Sequence, residues 1–109
     1  MADDPLHMAQ RLARQYLVAT PQEEAFLAEV ADQRAVFLQQ VTALVNWLLR
    51  EDYARLINTL YRIDVREQDF LSAMQQAQPA EAVAEAILNR LIEKAETRIR
   101  YRGWRGHNA

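Results

Sequence analysis

The chain has 109 residues, half of them apolar and about a quarter charged, with a formal net charge of −2. One domain of this size exposes about 6,200 Å² when folded against about 18,400 Å² extended, enough burial for one hydrophobic core. Two glycines and three prolines supply too little turn chemistry for an all-β fold, and the apolar content excludes disorder over most of the chain.

The N-terminal string Met1-Ala2-Asp3-Asp4-Pro5 is acidic and lacks the basic-then-apolar pattern of a signal peptide, so a cytoplasmic location is expected. Asp4 directly before Pro5 reads as a cap followed by proline at the first helical position. A first helix is predicted over 5–19, with Leu6, Ala9, Leu12, Ala13, Tyr16 and Leu17 forming one apolar stripe.

Thr20-Pro21-Gln22-Glu23 combines a capping box with another N-terminal proline and starts a second helix. No glycine or proline follows until Pro79, and Leu27, Val30, Ala31, Phe37, Leu38, Val41, Leu44, Val45 and Leu48 keep helical spacing. A long helix over 21–50 is therefore expected. Asp52 can cap a third helix over 53–62, and Asp64-Val65-Arg66-Glu67 resembles a capping box that opens a fourth over 65–77. The last helix is expected over 79–101, with Glu81 and Glu85 early and Arg98, Arg100 and Arg102 late, an order that complements the helix dipole. The fold class is thus all-α: a single-domain four- or five-helix bundle over 1–102 with a long central second helix, followed by a short basic, flexible tail over 103–109.

Chemistry is sparse. Without cysteine there are no disulfides, thiol nucleophiles, zinc ribbons or iron–sulfur clusters. Ser72 is the only serine, and His7 and His107 lie in opposite terminal segments. No glycine-rich phosphate loop and no helical His-Glu zinc motif occurs, and the acidic pairs Asp3-Asp4 and Glu23-Glu24 sit at helix starts, where the dipole explains them. No catalytic residue, metal ligand, cofactor or small-molecule substrate is assigned, and the reading is of a protein that is not an enzyme. The most apolar stretch, 36–49, is fourteen residues long and contains Gln39, Gln40, Thr42 and Asn46, too short and too polar to span a bilayer.

That stretch is the more informative signal. Its polar residues cluster on one narrow side, leaving an apolar arc wider than packing against one layer demands. The arc belongs either to a central helix covered from several sides or to a surface on which Phe37, Leu38 and Trp47 bind a protein partner, another copy of this chain foremost. Arg34 interrupts the stripe and either lays its methylenes on the core edge or pairs with Asp64, Glu67 or Asp69. Leu60-Tyr61-Arg62-Ile63-Asp64-Val65 reads as a structural corner with Asp64 as cap, a binding corner being the alternative.

Charge is unevenly placed. Residues 1–89 hold seven Lys and Arg against thirteen Asp and Glu, net −6, whereas residues 90–109 hold six against two, net +4. Arg98, Arg100, Arg102 and Arg105 interleave with Tyr101 and Trp104, a composition suited to phosphates and stacked bases or to an acidic protein surface. Two functions follow as expectations. The first is a self-associating scaffold or adaptor working through an apolar helical face; the alternative is a nucleic-acid-binding protein using the C-terminal arginines and Trp104.

Overall fold

A computed structural model describes the backbone over residues 4–108 and the side chains over 4–102. Six α-helices and one 3-10 turn follow each other, and the described residues contain no strand. In chain order they are α1 (Pro5–Leu17), α2 (Pro21–Glu24), the 3-10 turn Ala25–Leu27, α3 (Arg34–Glu51), α4 (Tyr53–Arg62), α5 (Glu67–Met74) and α6 (Pro79–Asn108). No helix among the described residues is long and apolar enough to cross a membrane. The tail expected over 103–109 lies outside the residues whose side chains are described.

Three caps form where the residue types place them. The Asp4 carboxylate accepts from the Leu6 N–H at 3.0 Å, and Asp52 accepts from the Arg55 N–H at 3.2 Å, dividing α3 from α4. At Thr20 the hydroxyl accepts from the Glu23 N–H at 3.2 Å, while the Glu23 carboxylate accepts from the Ala19 N–H at 2.8 Å. This is the reciprocal capping box, reaching one residue further back than usual.

The helix expected over 21–50 is not continuous. The backbone leaves the helix after Leu27 and re-enters it at Arg34, although no glycine or proline lies between. Side chains from other segments take up the backbone groups released there. The buried Gln10 amide donates to the Ala31 carbonyl at 2.9 Å and accepts from the Ala31 N–H at 2.7 Å. Arg14 donates to the Leu27 carbonyl at 2.8 Å, and Gln40 to the Glu29 carbonyl at 2.7 Å. Long-range partners thus replace the local ones that a continuous helix would have used.

The central position also falls elsewhere. α6 packs against α1, α3 and α5 and buries Val83, Ala84, Ile87, Leu88, Leu91 and Ala95. α3 buries a single stripe of Phe37, Val41, Leu44, Val45 and Leu48 against α6, α4 and the 3-10 turn, and leaves Gln39, Ala43 and Asn46 to water. A long second helix at the centre is therefore replaced by an 18-residue third helix beside a longer sixth.

Asp64 differs from its expected role as well. Its φ is 65°, the left-handed region, and it stands just beyond the end of α4. The Val65 N–H donates to the Leu60 carbonyl at 2.9 Å and the Asp64 N–H to the Tyr61 carbonyl at 3.1 Å, the paired bonds of a Schellman motif. Asp64 ends α4 instead of capping α5, whose N-cap is Arg66 and makes no side-chain cap bond. Wholly buried Ile63 and half-buried Val65 plug the corner on either side.

Candidate functional site

α4 has apolar residues on two sides. Leu56 and Leu60 enter the core, while Tyr53, Ile57 and Tyr61, at i, i+4 and i+8, form a second row that the core covers only in part, at Ile57. α5 is eight residues long and turns Phe70 and Ala73 inward, leaving Leu71 outside. Between these two helices runs a groove of about 590 Å³, floored by Leu60, Val65 and Phe70 and walled by Tyr53, Ile57, Tyr61 and Leu71. Tyr53 and Phe70 meet across it with ring centroids 6.4 Å apart, tilted by 56°. Asp64, Arg66 and Glu67 form its polar rim.

Six large apolar side chains are exposed among the described residues, and three of them, Tyr53, Tyr61 and Leu71, stand around this one groove. At 50%, 78% and 53% exposure they make a contiguous patch, which carries more meaning than scattered surface leucines.

A second groove of about 730 Å³ lies on the other side of α5, against α6, and shares the Asp64–Arg66 corner. Its charges are matched internally. Arg66 pairs with Asp69 at 3.4 Å, and Arg90 with Glu93 at 3.1 Å and Asp64 at 3.5 Å; Arg90 also donates to the Ile63 carbonyl at 3.1 Å. Lys94 adds a contact to Asp64 at 3.7 Å. Arg34, from the start of α3, pairs with Glu85 and Asn89, each at 2.7 Å, and not with Asp64, Glu67 or Asp69. Each carboxylate lining this groove thus already has a cationic side chain within 4 Å, whereas the apolar groove offers surface that water solvates poorly.

The remaining candidates are placed as follows. Phe37 is wholly buried within this chain, which overturns the expectation that it waits uncovered for a partner; α6, α4 and the 3-10 turn already cover its helix. Leu38 and Trp47 are half-buried, and Trp47 rests against Phe26 with centroids 6.1 Å apart. The three therefore form no common exposed patch. Arg98, Arg100 and Arg102 are exposed on α6 on either side of Ile99, the last half-buried residue among the described side chains, together with Tyr101. The Trp104 and Arg105 side chains lie outside the described residues. Ser72 lines the polar groove and His7 is exposed on α1, 3.9 Å from Asp4. Among the described residues no cluster of three His, Asp or Glu side chains could hold a metal.

The groove was hidden in the sequence because Tyr53, Leu56, Ile57, Leu60 and Tyr61 read as one stripe. Five apolar positions in a ten-residue helix exceed what one buried face uses, and that surplus is the signal which could have found it. In comparisons with known proteins no family model matches this chain, and no curated protein or solved structure matches it either.

Proposed function

We propose that the protein is a small non-enzymatic interaction module that associates with further copies of itself, the 98–105 segment of one copy docking in the α4–α5 groove of the next. The observation that carries this reading is the concentration of exposed Tyr53, Tyr61 and Leu71 around one groove. The choice of occupant rests on complementarity. Tyr101, another of the exposed apolar residues, lies on the 98–105 segment, and Trp104 follows it at i+3, one helical turn away. Arginines flank both, and the net +4 of residues 90–109 faces the net −6 of residues 1–89. Aromatic and arginine side chains are the usual anchors of such contacts.

The surface differs from the apolar arc of α3, whose Phe37 is buried, while the class of function is the same. Light scattering over a range of concentrations tests it. The mass of the wild-type chain should rise above 12.7 kDa with concentration. Leu71→Glu should weaken association by about tenfold or more without loss of helical content. A mass that stays monomeric, combined with tight, steeply salt-dependent binding of single-stranded RNA to the intact chain, would replace this reading with the nucleic-acid alternative.

A further inference from the structure

We infer that residues 28–33 form a hinge through which two copies of this chain exchange the segment 4–27. Two observations conflict at this point. The residues Ala28, Glu29, Val30, Ala31, Asp32 and Gln33 include no helix breaker, and the spacing of the apolar residues through them is that of one continuous helix. The backbone nevertheless leaves the helix there, with Gln33 extended at φ −133° and ψ 150° and Val30 exposed.

The broken state depends on distant side chains. Gln10 and Arg14 on α1 and Gln40 on α3 hold the carbonyls of Ala31, Leu27 and Glu29. In a straight helix these backbone groups would bond within the helix, so the sequence has two ways to satisfy them. Straightening inside one chain carries α1 away from α6 and α4, on which it packs. A second copy restores the packing that is lost. Its own 4–27 segment packs on the first copy's α6 and α4, and contacts such as Glu23 with Arg55 and Tyr16 with Arg62 form between chains instead of within one. The two forms differ in the hinge and in its bonds to Gln10, Arg14 and Gln40, so substitutions at these positions set the balance.

The experiment uses the full-length chain carrying Leu71→Glu, which removes groove-mediated association from the readout. Tyr16→Cys with Arg62→Cys places two thiols across the exchanged contact in a chain that has no other cysteine. A short bifunctional maleimide then links them within one chain in the closed form and between two chains in the exchanged form. Asp32→Ala with Gln40→Ala favours the straight helix, by propensity and by loss of the bond to Glu29, whereas Glu29→Gly with Asp32→Gly disfavours it. After incubation at millimolar concentration, covalent dimer should be at least about tenfold more abundant in the first variant than in the second. The dimer should persist in high salt and show increased helical ellipticity. All of the substituted residues are exposed or half-buried, so no core contact is removed, and the unmodified hinge is measured beside both variants. Exclusively intrachain links at every concentration, or equal dimer in the two variants, would overturn the hinge and leave the groove reading intact.

Discussion

Three polar side chains carry stability out of proportion to their number. Gln10 is buried with both ends of its amide on Ala31, so Gln10→Leu leaves a buried N–H and a buried carbonyl unpaired. A loss of about 2–4 kcal/mol is expected in urea denaturation. Glu23 is buried against Arg55, which also donates to the Leu17 carbonyl at 3.2 Å and lies 3.6 Å from Asp52. Glu23→Gln leaves Arg55 paired with Asp52 and should cost about 1–2 kcal/mol, whereas Arg55→Met strands the buried Glu23 carboxylate and should cost about 3 kcal/mol. Replacing both, as Glu23→Leu with Arg55→Met, should cost less than the two single changes together, because neither charge is then left alone. At Asp64 a non-glycine residue sits at φ 65°, with Arg90 and Lys94 beside its exposed carboxylate. Asp64→Ala should lower stability by about 1–2 kcal/mol, losing both the tolerance of that conformation and the ion pairs. Asp64→Gly should change it by less than about 1 kcal/mol, since relief of the backbone offsets the lost pairs.

At the scale of elements, local signals were legible and long-range ones were not. The starts of α1, α2 and α4 were readable because Asp4, Thr20 and Asp52 cap through bonds to residues two or three positions away. The break over 28–33 was not readable, because its cause is Gln10, twenty-one positions away from Ala31. Asp64 misled for a related reason: the same residue type serves as an N-cap and as a left-handed C-terminal residue, and the Leu60 and Tyr61 carbonyls behind it decide the matter. The candidate groove was half legible. Tyr53, Ile57 and Tyr61 were visible as apolar positions, but which row would face the core depends on how α4 sits on α1 and α3. The inward stripe of α3 is unambiguous, and Leu44→Ala or Leu48→Ala should each cost about 2–5 kcal/mol, read by thermal or urea unfolding. Trp47→Ala removes the contact with Phe26 at the edge of that stripe, so its effect should appear in stability and not in the mass of the assembled protein.

On the scale of the whole molecule, the proposed association brings an acidic body with an apolar groove against the cationic, aromatic C-terminal segment of the next copy. Because the two surfaces differ, the proposed contact is head-to-tail, and a pair of copies retains one free groove and one free segment. That asymmetry makes a complementation experiment the most direct test. Leu71→Glu disables the groove and keeps the segment; Tyr101→Asp with Trp104→Asp disables the segment and keeps the groove. Each variant alone should be a monomer in analytical ultracentrifugation at micromolar concentration, far below that at which exchange of the 4–27 segment is driven. Mixed in equal amounts, they should form a one-to-one heterodimer that grows no further, since its remaining groove and segment are both disabled. Two variants that stay monomeric when mixed, under conditions where the wild-type chain associates, would contradict the head-to-tail contact.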